Sequence, residues 1–300
     1  MSRAIVFPGQ GSQIVGMAKD FYESFSETSD LFEKANDLLN YNLGNICFNG
    51  PQEKLNLSNF AQLGIFVSSI AIFNVLNNQK KDLEIDYFAG HSLGEWTALH
   101  AAEYVSFEDT LKILEARGRF MQEACELKNG EMIAVINLDA DKLEEIAEES
   151  GSFIANYNSP HQTVLSGDIS SIEKVKILAT ESGAKRIVPL PVAGAFHSPL
   201  MISAAEKMDD FISNIVFTDS NKPVLSNVTG RTHNFLEMKK YMVRQIISPV
   251  KWVQIIENLR NDGVEEIIEC GPNRVLTGLI KRIDKNIEVR NISNISDILN

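Results

Sequence analysis

Ile85-Asp86-Tyr87-Phe88-Ala89-Gly90-His91-Ser92-Leu93-Gly94 carries a strand, a tight turn and a helix start in immediate succession. The short apolar run Ile85–Ala89 is broken at Gly90, and helical composition resumes over Gly94–Ala102. Within it, Gly90-His91-Ser92-Leu93-Gly94 has the form GxSxG. Small residues two positions either side of the serine let the backbone fold back without clashes. Such a turn exposes the Ser92 hydroxyl at the carboxyl edge of a sheet and at a helix N-terminus. There, unpaired N–H groups and the helix dipole can stabilise a developing oxyanion. A plain Gly-Ser turn can carry the same five residues; the strand before and the helix after favour an activated serine.

Working outward, the flanking segments keep the same rhythm. Upstream, Ala4–Phe7 is a buried parallel strand feeding the turn Pro8-Gly9-Gln10-Gly11-Ser12, and helical patterns follow at about 15–40 and 59–78. Downstream, Ser106-Phe107-Glu108-Asp109 has the capping-box form and starts a helix to about Cys125. The middle third changes rhythm: strand Met132–Ile136, helix Asp141–Ser150, strands Phe153–Tyr157 and Thr163–Ser166, helix Ser171–Ser182 and strand Arg186–Val188. That β-α-β-β-α-β order is the ferredoxin-like split unit. The last third returns to alternation, with helices near 198–215, 235–246 and 251–261, strands at Val224–Asn227 and Glu266–Glu269, and a helix after Gly271-Pro272. The expected fold is α/β, a hydrolase-like core with a largely parallel sheet, over 1–127 and 195–300, interrupted by a ferredoxin-like α+β subdomain over 128–194.

Composition narrows the function classes. The chain has 300 residues, 40 acidic and 28 basic, for a net charge of −12. A hydrophobic share of 44% belongs to an ordinary globular chain, and the acidic balance argues against a nucleic-acid binder. Cys47, Cys125 and Cys270 are far apart with no CxxC pair, which fits a reducing cytosol and supplies no zinc framework. Neither a metal nor a redox cofactor is expected. No secretory core follows Arg3, because the apolar run stops at Pro8. Ala61–Leu76 is the most apolar stretch, but it contains Gln62, Ser68, Ser69 and Asn74 and falls short of a span, so it reads as a buried helix. A cytoplasmic monomer without membrane association is expected.

A serine nucleophile needs a base. Of the five histidines, His91 lies inside the turn, His100 falls among alanines and leucines on the following helix, and His233 sits in a polar turn, where it should be exposed. His197, in Gly194-Ala195-Phe196-His197-Ser198, occupies a loop before a helix, a position suited to a catalytic base. His161 stays open as the alternative on spacing alone.

Several segments resemble the signature stretches of the malonyl-CoA:acyl-carrier-protein transacylase family, in its order and spacing, from residue 4 to about 283. They are Phe7-Pro8-Gly9-Gln10-Gly11-Ser12-Gln13, Gly90-His91-Ser92-Leu93-Gly94-Glu95, Asn156-Tyr157-Asn158-Ser159-Pro160, Gly194-Ala195-Phe196-His197-Ser198 and Gly271-Pro272-Asn273-Arg274-Val275-Leu276. The resemblance implies that Ser92 carries the acyl group as an ester and that His197 is its general base and later acid. It implies that the backbone carbonyl of Gln245, not a carboxylate, orients the imidazole. The oxyanion hole would be the N–H groups of Leu93 and Gln10. Arg117 would grip the free carboxylate of malonate, with Gln62 lining the same cleft and Phe196 favouring an unbranched malonyl group. Without the resemblance, Arg117 in Glu115-Ala116-Arg117-Gly118-Arg119 reads as a solvated helix arginine, and Arg119 points to another side.

The implied reaction moves malonyl from malonyl-CoA, a coenzyme A thioester, to the phosphopantetheine thiol of acyl carrier protein, in fatty acid biosynthesis. A trans-acting polyketide-synthase acyltransferase and a serine thioesterase or hydrolase are the alternatives. The chain departs from the family pattern at Leu63, Trp96, Glu103 and His161, none of them a catalytic group.

Overall fold

The computed structural model describes residues 1–299, which fall into two compact units. The first unit comprises Met1–Gly118, Ile215–Leu225 and Leu259–Asn300. Its sheet contains β1 (Ser2–Phe7), β2 (Tyr87–Gly90), β7 (Val264–Cys270) and β8 (Glu288–Ile292), in the order β2-β1-β7-β8. Every pairing is parallel, with Phe7 level with Gly90 and Ile5 level with Ile268. Ala4, Ile5, Val6 and Phe7 are fully buried, as an apolar run in a doubly covered sheet must be.

The helix Ser58–Gln79 packs on this sheet, and Phe73 meets Phe7 and Phe88 edge-on at 5.8 and 6.2 Å. By length and hydropathy it could cross a membrane, yet 83% of its most apolar window is buried inside the protein. Its apolar faces are therefore occupied by the core, in keeping with the buried helix expected over Ala61–Leu76.

The second unit comprises Arg119–Asn214 and Ser226–Asn258. It is built on β3 (Gly130–Ile136), β4 (Phe153–Ser159), β5 (Gln162–Asp168) and β6 (Arg186–Pro189), an antiparallel sheet in the order β4-β5-β3-β6. Helices Ala140–Ser150 and Ile169–Glu181 bury Leu143, Ile146, Ile172 and Val175 against Ile133, Val135 and Leu165. Order and pairing make it the ferredoxin-like unit. This compact unit is wider than 128–194, because later chain joins its edge strand. Val250 donates its N–H to the Ala155 carbonyl, and its own carbonyl accepts the Tyr157 N–H, both at 2.9 Å.

Several elements differ from the sequence expectation. Val224–Asn227 is no strand: Val224 makes one bridge with Phe88, and the chain then turns, with the Gly230 N–H returning to the Ser226 carbonyl. The helical pattern at 15–40 is two helices, Lys19–Ser24 and Ser26–Leu39, preceded by a loop with Gly16 and Ala18 at positive φ. Edge strand β8 was not expected, because Glu288-Val289-Arg290-Asn291-Ile292 has no continuous apolar run. His233 is buried, 8% exposed, with its ring near Tyr241, rather than exposed in a polar turn.

Candidate active site

The residues singled out in the sequence divide between the units. Gln10, Gln62, Ser92, Leu93 and Arg117 belong to the first, and Phe196, His197 and Gln245 to the second.

In the first unit, β2 ends at Gly90 and the helix Leu93–Ala101 begins almost at once. Ser92 bridges them with φ 53° and ψ −111°, a conformation side chains rarely adopt and one costing on the order of 1–3 kcal/mol. The turn closes so tightly that a Cβ on Gly90 would overlap the Gly94 carbonyl, and one on Gly94 would overlap the Phe7 carbonyl. The His91 N–H donates to the Phe7 carbonyl at 3.1 Å, tying the turn to β1. The loop bearing Gln10 therefore leaves the same sheet edge as Ser92. Gln10 donates its side-chain amide to Ser58 Oγ at 3.2 Å. Leu93 is the first residue of its helix, so its N–H has no acceptor within that helix.

Arg117 lies on the helix Phe107–Leu127, whose start is capped as expected, the Ser106 hydroxyl accepting the Asp109 N–H at 3.0 Å. Its side chain points inward, and the residue is only 2% exposed. Nη1 donates to Gln62 Oε1 at 2.6 Å, and Nη2 donates to Ser92 Oγ at 3.1 Å. Three residues far apart in sequence are thus joined around one hydroxyl. Burial pushes the Arg117 guanidinium down to about 10, against the opposing charge of Glu95, so it remains a cation at neutral pH. Arg119, by contrast, is exposed and pairs with Glu123 at 3.7 Å.

In the second unit, His197 is 4% exposed and has a positive φ of 57°. Its Nδ1 lies 2.9 Å from the Gln245 carbonyl oxygen. A carbonyl can only accept, so Nδ1 carries the proton and Nε2 is the basic nitrogen. Gln245 is fully buried at the start of the 3₁₀ turn Gln245–Ile247, a rigid position for that carbonyl. Ser198 holds the histidine loop by donating to the Ala195 carbonyl at 2.6 Å, and Phe196 is buried beside it. His161, the open alternative, is exposed in the turn between β4 and β5.

One buried group carries no role in the sequence reading, where it stands only as the end of the segment around Ser92. Glu95 is fully buried in the first turn of the helix after Ser92, and its charge acts on Arg117. A carboxylate in a first helical turn reads as a surface complement to the dipole, which hid it. The three cysteines are free and buried, and burial pushes the Cys125 thiol up to about 11. Among the described residues, no cluster of His, Cys, Asp or Glu is arranged to hold a metal ion.

A strained serine at a strand–helix elbow, bonded to a buried guanidinium, fits covalent transfer of an acidic acyl group. The chain belongs to the acyl transferase domain family, which it matches over residues 4–296. More narrowly, it belongs with the malonyl CoA-acyl carrier protein transacylases. It is 37% identical to that enzyme of Bacillus subtilis (strain 168) over 297 residues, covering 97% of this chain and 93% of the relative. The structure of the transacylase from Coxiella burnetii matches with a TM-score of 0.96 at 35% identity, covering 99% of this chain and 96% of that one. A malonyl-transacylase solved in complex with its type II PKS acyl-carrier protein matches with a TM-score of 0.96 at 34% identity, covering 100% of this chain and 98% of that one.

Proposed function

We propose that this chain transfers the malonyl group from malonyl-CoA to the phosphopantetheine thiol of an acyl carrier protein, through a malonyl ester on Ser92. The observation that carries this reading is the buried Arg117 guanidinium donating to Ser92 Oγ. A cation beside the nucleophile suits an acyl group that ends in a free carboxylate, which a guanidinium grips with two parallel N–H donors. A simple esterase has no use for such a charge.

The reaction runs in two halves. His197 Nε2 takes the Ser92 proton as Oγ attacks the thioester carbonyl, and the N–H groups of Leu93 and Gln10 stabilise the oxyanion. The C–S bond breaks and coenzyme A leaves with the proton returned by His197. The carrier thiol then gives its proton to His197 and attacks the ester, and Ser92 leaves as the reprotonated hydroxyl. The Gln245 carbonyl keeps the imidazole in the tautomer that makes Nε2 the base. Gln62 orients Arg117, and Phe196 favours an unbranched acyl group. The enzyme acts as a cytoplasmic monomer.

Intact mass after incubation with malonyl-CoA tests the central claim: the parent protein gains one malonyl group and Ser92→Ala gains none. A Ser92→Ala protein that still acquires the label overturns the assignment. The named complex of a relative with a type II PKS carrier makes the choice of carrier a separate question. Side-by-side transfer to fatty-acid and polyketide carriers answers it, and release of free malonate faster than carrier loading would identify a hydrolase instead.

A further inference from the structure

We propose that Asn273 is a positioning residue for the oxyanion hole: its side-chain amide, bonded to the Ser12 carbonyl, holds the turn that presents the Gln10 N–H. The inference rests on the malonyl transfer proposed above, which gives that N–H its part in catalysis. It concerns a side chain that never touches the acyl group.

The turn is closed by Ser12, which donates its N–H to the Gly9 carbonyl at 3.3 Å and its hydroxyl to the same oxygen at 2.8 Å. Gln10 and Gly11 form its centre, and Gly11 takes a φ of 102°, which favours glycine at the second central position. Among the described residues, nothing accepts from the Gln10 N–H. An oxyanion donor needs that freedom and also a fixed place, since a misplacement of about 1 Å can cost a hundredfold in rate.

The turn is held at both ends, by residues that all belong to the first unit. At its start Gly9 lies against the elbow, where a Cβ would come within 2.6 Å of the His91 carbonyl. At its end Asn273 Nδ2 donates to the Ser12 carbonyl at 3.2 Å. Ser12 is 1% exposed, and among the described residues no other group donates to that carbonyl. A buried carbonyl stripped of its donor is costly, so the strap favours one place for the turn.

Asn273 can anchor because it is itself held. Its carbonyl accepts from Asn291 Nδ2 on β8 at 2.7 Å. The helix Val275–Ile283 that follows is pinned at its start by Glu269, which accepts the Leu276 and Thr277 N–H groups. The Asn273 φ of 66° lies in the left-handed region, which glycine and asparagine both adopt. Glycine would satisfy that backbone equally well, so what asparagine adds is the amide.

The experiment is single-turnover acylation of the full chain by malonyl-CoA and by acetyl-CoA over a range of thioester concentrations. It compares the parent, Asn273→Gly and Asn273→Asp. Glycine removes the amide without straining the backbone, and aspartate keeps the size but, ionised at neutral pH, cannot donate to a carbonyl. Both variants are expected to acylate at about a third to a tenth of the parent's maximal rate on either thioester, as for loss of one ordinary hydrogen bond. Half-saturating concentrations should stay within about twofold and the malonyl-over-acetyl preference should hold, because the oxyanion forms on both acyl groups. Backbone amide exchange over residues 9–13 should quicken, while thermal unfolding shows the variants folded.

Parental rates in either folded variant, a loss confined to malonyl-CoA, or a change in half-saturation alone overturns the proposal. Unchanged amide exchange over residues 9–13 overturns it as well. Should one variant not fold, the other decides; failure of both to fold makes Asn273 a structural residue and sinks the idea. If the parent itself gains no malonyl group, the functional reading fails instead, and the exchange measurement still decides whether Asn273 holds the turn.

Discussion

At the scale of the residue, the chemistry concentrates on side chains whose environment differs from what their type suggests. Arg117 is a cation with almost no exposure, and Ser92 sits in a backbone conformation normally left to glycine. On the proposed reading, Arg117→Ala should lower malonyl loading by roughly tenfold to a hundredfold and leave acetyl loading much less affected, as for a charged hydrogen bond of about 1.5–3 kcal/mol. Equal losses in the two assays would make the residue structural. Because burial holds the guanidinium at about 10, it is charged below that value and neutral above it. Malonyl loading should hold through neutral pH and fall as pH rises through about 10, a limb that acetyl loading lacks. Ser92 was legible in the sequence because the elbow's steric demand is written in Gly90 and Gly94. The burial of Arg117 was not, since any arginine on an amphipathic helix can face water until the neighbouring helix is placed. His233 was misread for the same reason: a polar turn in sequence became a buried ring against Tyr241 in space.

At the scale of the element, the strands with continuous apolar runs were legible, and those relying on partners were not. Ala4–Phe7 can be nothing but a buried strand or helix segment, whereas β8 at the sheet edge needs β7 beside it to form. Val224–Asn227 has strand composition, but its bridges at Val224 and Leu225 stay isolated and the chain turns from Asn227. The helix Val275–Ile283 shows how an element's end can be capped from elsewhere. Glu269, at the end of β7, is buried and accepts the Leu276 and Thr277 N–H groups at 2.9 and 2.7 Å. Glu269→Ala would leave two buried donors unsatisfied and should cost about 2 kcal/mol, read from denaturant unfolding. Burial raises the Glu269 carboxyl above its ordinary 4.5, so the fold favours its protonated form. Parent stability from this group is complete below 4.5 and declines as pH rises through the raised value. Glu269→Gln removes that dependence, and the stability difference should move toward the variant as pH increases. A difference independent of pH would refute the assignment.

At the scale of the whole molecule, a net charge of −12 meets substrates that carry phosphates. Local basic groups must offset that field, and Arg274, Lys281, Arg282 and Lys285 are exposed on one stretch of the first unit. On the proposed reading, transfer to an acidic carrier should weaken as salt rises, while loading of Ser92 responds less. Equal salt responses of the two half-reactions would argue against electrostatic docking. The bulk charge was a sound guide against nucleic acid but a poor guide to the partner, because binding feels the local potential. What the sequence by itself determined is local: the elbow around Ser92, the capped start at Ser106, and the β-α-β-β-α-β order of the inserted unit. Each follows from sterics, hydrogen bonding and periodicity between near neighbours in the chain. Only the tertiary structure decided that Gln62, Ser92 and Arg117 share one hydrogen-bonded cluster, that Glu95 is buried, and that the Gln245 carbonyl meets His197. These partners come from different elements, and packing in three dimensions, not spacing along the chain, sets which polar groups are withdrawn from water together.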